Sequence, residues 1–209
     1  IISPHRVHPG RVHQAGRCCP YVAEIDGERP NSPTAITSVR SVHAVPLPDV
    51  RAQIDAVVSD LRPAALKTGM LATADLVSEV AAAIREHRLG PYVLDPVMVA
   101  TSGDRLLAED AVERLARELV PLAHVVTPNL HEARILAGQR VASAEEMRRA
   151  AERILSLGAR AVLVKGGHLA SEAVDVLVQP EGVRIWRRPR IETRHTHGTG
   201  CTLSAAITA

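Results

Sequence analysis

Apolar residues recur at helical spacing along most of the chain. Val50, Ile54, Val57, Val58 and Leu61 share one face of a helix, as do Leu76, Val80, Ala83 and Ile84. The same spacing returns in Val112, Leu115 and Leu119, and again in Met147, Ala151, Ile154 and Leu155. Between these stretches lie short runs that are apolar throughout: Ala64-Ala65-Leu66, Tyr92-Val93-Leu94, His124-Val125-Val126 and Ala161-Val162-Leu163-Val164. Runs of that kind suit strands covered on both faces of a parallel sheet. Their alternation with helices predicts a doubly wound α/β domain, a mostly parallel sheet with helices on both faces. Segments 173–178 and 183–186, parted by Pro180-Glu181-Gly182, predict a hairpin attached to that sheet.

Each predicted strand leaves the core through a polar residue and a turn-former. Lys67 precedes Thr68-Gly69, Asp95 precedes Pro96, Thr127 precedes Pro128-Asn129, and Lys165 precedes Gly166-Gly167. Ligands of open parallel sheets bind outside the carboxyl ends of the strands, so these four exits are expected to border one crevice. A polar residue that merely marks where a strand leaves the core explains one or two such exits better than four.

Composition narrows the partners. The 209 residues are 46% hydrophobic and carry a net charge of +2, enough for one core with no need of a second domain. Aromatic residues make up 1% of the chain, which offers neither a stacking platform nor a steering field for nucleic acid. No apolar run approaches the roughly 18 to 20 residues that span a bilayer. Three cysteines, with Cys18 and Cys19 adjacent, make no disulfide framework, and a reducing cytoplasm is the expected compartment. The chain starts at Ile1 and stops at Ala209 inside a predicted helix, so an incomplete product is expected.

The densest chemistry lies in Arg194-His195-Thr196-His197-Gly198-Thr199-Gly200-Cys201-Thr202-Leu203-Ser204. A glycine-bracketed turn there runs into an apolar, small-residue helix. Amides at a helix start favour negative charge, and glycine lets a phosphate come close to them. The same dipole stabilises a thiolate, so Cys201 is expected to have a lowered pKa and to take a proton from an alcohol. A tight loop with a buried, inert cysteine is the plainer reading of this segment alone.

Two further features fit phosphate chemistry. Asn129 and Glu132, three apart at a helix start, place an amide oxygen beside a carboxylate, a pair suited to a hydrated magnesium ion. Spacing by itself favours an ordinary capping box at these positions. Lys165, followed by two glycines, is placed to reach a nucleotide phosphate or simply to end a strand in solvent. There is no Walker GxxxxGK[ST] run, which disfavours a P-loop fold.

In combination these segments become specific. Lys67-Thr68-Gly69-Met70-Leu71, Leu94-Asp95-Pro96-Val97-Met98 with Ser102-Gly103-Asp104, and Thr127-Pro128-Asn129-Leu130-His131-Glu132-Ala133 precede Val164-Lys165-Gly166-Gly167-His168 and the glycine-rich turn before Cys201. In order and spacing, from about residue 39 to 209, the chain resembles the bacterial hydroxymethylpyrimidine and phosphomethylpyrimidine kinases of thiamine biosynthesis, of the ribokinase-like superfamily.

The resemblance implies phosphorylation of a pyrimidine's hydroxymethyl group, and then of the resulting phosphate ester, with ATP and Mg2+. It implies Cys201 as the base and Gly198, Thr199 and Gly200 as the anion hole. It also implies Asn129 and Glu132 as organisers of the metal, with Asp95 in its outer shell. Lys165, Thr199 and Asn129 would meet the nucleotide, and Met70 and Cys201 the pyrimidine. A homodimer is compatible with this reading. A pyridoxal kinase and a non-catalytic product that binds nucleotide or nothing are the alternatives.

The first 38 residues depart from the family pattern. They lack its glycine-rich turn, and alignment on Val39-Arg40-Ser41-Val42 puts Pro33 where the family carries a pyrimidine-binding glutamine. His5, His8 and His13 beside Cys18 and Cys19 match no closed zinc site. Out-of-frame translation of GC-rich DNA accounts for their Arg, Pro, His, Gly and Cys content. Residues 1–38 are therefore expected to be a poorly ordered, aberrant segment before a kinase domain at 39–209. On that reading the sheet would lack a central strand, and stability and activity would be low.

Overall fold

The computed structural model describes residues 2–3, 21–25, 39–98, 107, 109–167, 172–191 and 198–209. Nine strands and six α-helices are formed among them. In chain order they are β1 (Ile2–Ser3), β2 (Tyr21–Ile25), β3 (Val39–Ala44), α1 (Leu47–Asp60), β4 (Ala65–Thr68), α2 (Ala74–Glu86), β5 (Tyr92–Leu94) and α3 (Glu109–Glu118). Then follow β6 (Val125–Val126), α4 (Leu130–Ala137), α5 (Ala144–Leu155), β7 (Val162–Gly166), β8 (Ala173–Gln179), β9 (Gly182–Arg188) and α6 (Thr199–Thr208). Among the described residues no helix is long and apolar enough to cross a membrane.

The main sheet runs in the order β1, β4, β5, β6, β7, β8, β9. Strands β4 to β7 are parallel, as their continuous apolar runs require, and β7, β8 and β9 are antiparallel. β1 pairs antiparallel with β4, so the place beside β4 is taken by two residues. β2 and β3 form a separate two-stranded sheet.

Several elements extend past their predicted ends because a neighbour supplies hydrogen bonds there. β4 continues through Lys67 and Thr68, which pair with Val93 and Leu94, and the Thr68 hydroxyl lies 2.6 Å from that of buried Tyr92. β9 continues to Arg188 because β8 still offers Ala173 opposite it.

The helices begin where the sequence supplies caps. Thr73 accepts from the Leu76 amide at the start of α2, and Ser143 accepts from that of Glu146 at the start of α5. One core then gathers the apolar faces: Val77, Val80 and Ile84 of α2, Leu115 of α3 and Met147 and Ile154 of α5 close on Leu94, Val126, Val162 and Val164. Burial of such side chains stabilises by roughly 1.5 to 3 kcal/mol each. This packing aligns the carboxyl ends of β4, β5, β6 and β7 along one edge.

Candidate functional site

Asp95, the residue after β5, is 1% exposed. A buried carboxylate is costly unless donors surround it, and here they come from three other elements. Its Oδ1 accepts from Lys165 Nζ at 2.9 Å and from Thr127 Oγ1 at 3.3 Å. Its Oδ2 accepts from Ser204 Oγ at 3.0 Å. Thr127 follows β6, Lys165 belongs to β7 and Ser204 to α6, so three of the four strand exits meet at one place, joined there by α6.

α6 enters the same place by its N-terminus. Gly198, the cap residue, has φ 78° and ψ −4°, a left-handed conformation that glycine adopts without a Cβ penalty. Its carbonyl accepts from the Thr202 amide at 2.9 Å. A Cβ added at Gly200 would stand 3.1 Å from Lys165 Nζ, so the ammonium rests against the first turn of the helix. Lys165, Gly200 and the α6 amides thus lie together.

Cys201 belongs to the cluster, but its acidity is not the expected one. Although it presents exposed surface, partial desolvation pushes its thiol up, and the charge of Asp95 together with a hydrogen bond to it adds to that push. Lys67 and Lys165 act in the opposite direction and do not prevail. The expectation of a lowered pKa weighed the helix dipole and omitted the desolvation of the thiol and, after it, a carboxylate that only tertiary packing brings near.

Asn129 and Glu132 form the capping box that their spacing favoured. Glu132 N donates to Asn129 Oδ1 at 2.9 Å, and Asn129 N donates to Glu132 Oε2 at 2.7 Å. Glu132 is 3% exposed, and burial pushes its carboxyl up to about 7, against the pull of the Asn129 amide and the Lys165 charge. Its electrostatic coupling to Lys165 and Asp95 puts this helix start beside the others. Among the described residues no group of three His, Cys, Asp or Glu side chains forms a ready metal cage.

Met70 is half-buried and borders an apolar cavity of about 110 Å³ between α1, α2 and β4. Val50, Ile54, Val80 and Ile84 line its depth, and the Lys67-Thr68-Gly69 segment lines it too. Lys67 is therefore shared between the cavity and the electrostatic surroundings of Cys201. Residues 102–104, His168 and 194–197, together with His5, His8, His13, Cys18, Cys19 and Pro33, lie outside the described residues.

Three contributors escaped sequence reasoning as site residues. Thr127 and Lys67 were legible only as strand exits. Ser204 was legible in principle, because it stands three residues after Cys201 on the same face of a helix.

The family model for phosphomethylpyrimidine kinase matches residues 33–209, opening a few residues ahead of the expected start of resemblance. The hydroxymethylpyrimidine/phosphomethylpyrimidine kinase of Rhizobium meliloti is 52% identical over 186 residues, covering 84% of this chain and 68% of the relative. Among solved structures, Bacillus subtilis pyridoxal kinase in complex with ADP superposes with a TM-score of 0.79 at 36% identity, covering 90% of this chain and 69% of that one. The phosphomethylpyrimidine kinase of Clostridium difficile superposes with a TM-score of 0.72, also at 36% identity, covering 84% and 71%. The mostly parallel sheet with its helices is thus the architecture of these kinases.

Proposed function

Since this chain belongs to the phosphomethylpyrimidine kinase family, we propose that it phosphorylates 4-amino-5-hydroxymethyl-2-methylpyrimidine, and then the monophosphate, with ATP. The setting is thiamine diphosphate biosynthesis in the cytoplasm. The observation that carries this reading is the meeting of Lys165, held by Asp95, with the glycine-rich start of α6 beside Cys201.

Phosphoryl transfer asks mainly for alignment and charge neutralisation. The Lys165 ammonium faces the phosphates of ATP, and the amides of Gly198, Thr199 and Gly200 donate to the oxygens of the moving phosphoryl group. The pyrimidine, against Met70, presents its hydroxyl oxygen to the γ-phosphorus. The new P–O bond forms as the bond to the β–γ bridging oxygen breaks, and ADP leaves with that electron pair. The alcohol proton passes to the thiolate form of Cys201, which becomes the thiol. The raised pKa makes that thiolate the minor form near neutral pH but the stronger base, and in a loose transition state the proton need leave only late.

Mg2+ suits the donor set. Asn129 and Glu132 supply hard oxygen atoms, and Mg2+ commonly keeps several waters and the substrate phosphates with one or two carboxylates. Asp95, whose two oxygens already accept protein donors, fits the outer shell. When bound, the ion would neutralise charge on the nucleotide phosphates.

A coupled ADP-release assay with the pyrimidine, ATP and magnesium tests the reading on the chain and on Cys201→Ala. Turnover that requires the pyrimidine and is lost in the variant is expected. A chain that binds ATP without turning over would point to nucleotide binding alone. The superposition on pyridoxal kinase favours a second reading, phosphorylation of pyridoxal, and higher kcat/KM on pyridoxal than on the pyrimidine would install it instead.

A further inference from the structure

α6 directs polar side chains to one side at Cys201, Ser204 and Thr208. Ser204 is fully buried. Its hydroxyl carries one proton and has two acceptors at 3.0 Å, the Cys201 carbonyl one turn back and Asp95 Oδ2. The carbonyl contact is local and available to any serine in a helix. The contact with Asp95 spans 109 positions, and a charged acceptor makes the stronger bond.

Thr127 and Lys165 take Oδ1 and Ser204 takes Oδ2 from within the buried face of α6, while the Cys201 thiol at the start of the same helix also hydrogen-bonds Asp95. Asp95 in turn holds the Lys165 ammonium against Gly200. A rotation of α6 about its axis would therefore part the Ser204 bond and shift the helix-start amides and Cys201 relative to Lys165. We infer that Ser204 is a positioning residue for phosphoryl transfer, fastening α6 to Asp95 so that its N-terminus and the Lys165 ammonium address the same phosphoryl group. The inference rests on the kinase reading above and goes beyond it.

A loss of alignment weakens the transition state more than the ground state. Ser204→Ala is therefore expected to lower kcat by about tenfold or more while each KM stays within about twofold. Thr208→Ala serves as the structural control, because its Oγ1 donates to the Ser204 carbonyl at 2.7 Å and lies within the helix. This variant is expected to keep the original kcat.

Calorimetric titration with ADP, and with ADP plus magnesium and aluminium fluoride as a mimic of the phosphoryl group in flight, reads the same alignment without an acceptor alcohol. Ser204→Ala is expected to bind ADP as the unaltered chain does and to lose about tenfold or more in affinity for the mimic. Should that variant melt below the assay temperature, Ser204→Thr, which keeps the hydroxyl, is expected to retain the affinity for the mimic, and its loss there would overturn the inference. Unaltered kcat and mimic affinity in Ser204→Ala would also overturn it, as would an equal loss in Thr208→Ala. If the unaltered chain prefers the mimic over ADP and Ser204→Ala does not, yet the pyrimidine is not phosphorylated, the substrate reading falls and the role of Ser204 stands.

Discussion

Two charged clusters in this molecule use the same chemistry in different solvents. Arg51 of α1 bonds Asp55 at 2.8 Å and Glu79 at 3.4 Å and also pairs with Glu86, while His87 lies 2.6 Å from Asp55. His87 and then Arg51 hold the Asp55 carboxyl below its ordinary range. This group clamps α1 to α2 at the surface, where water competes for every member and salt screens the charges. The cluster around Asp95 has fewer ionic members but is almost dry, with the Asp95 side chain 2% exposed and that of Lys165 14% exposed. A surface network tolerates the loss of a member because water replaces it. A buried one leaves a desolvated charge behind, so it persists only where all its donors are in place.

The largest break of this contrast is Asp95→Ala. It strands the Lys165 ammonium and is expected to cost roughly 3 to 5 kcal/mol of stability, with turnover abolished. A denaturation curve together with the ADP-release assay measures both.

Next comes pH. The carboxyl of Glu132 ionises near 4.5 when unfolded and at about 7 when folded. The stability contributed by its protonated form is complete below pH 4.5 and is lost as pH rises through 7. That loss is roughly 3 kcal/mol. Melting followed between pH 4.5 and 8 is expected to decline for this chain and to be flatter for Glu132→Gln.

Gly200→Ala follows. Its Cβ would press on Lys165 Nζ, the end of a flexible side chain, so the fold is expected to survive. A displaced ammonium is expected to lower kcat by about tenfold, equivalent to about 1.4 kcal/mol at the transition state. Thermal melting and steady-state kinetics separate the two effects. The smallest effect is expected from Arg51→Ala, a slight fall in melting temperature that high salt erases, with turnover unchanged. A loss of activity in this variant would deny that the two clusters work independently.

The parallel strands, their helices and the hairpin were legible because periodicity reports which face of an element is buried. The glycine-rich turn before α6 was legible because few residues besides glycine accept the backbone of Gly198. The capping box of Asn129 and Glu132 was legible for a related reason, since its hydrogen bonds join residues three apart. In each case the interactions concerned are near neighbours along the chain.

The elevated thiol of Cys201, the carboxyl of Glu132 at about 7 and the link from Ser204 to Asp95 were decided by the tertiary structure. Each depends on dielectric surroundings and on charges from separate elements, which no local pattern encodes. Sequence alone established the class of fold and a set of polar strand exits that suit phosphate. Packing decided which of them touch, because strand order and helix rotation set distances between residues as far apart as Asp95 and Ser204.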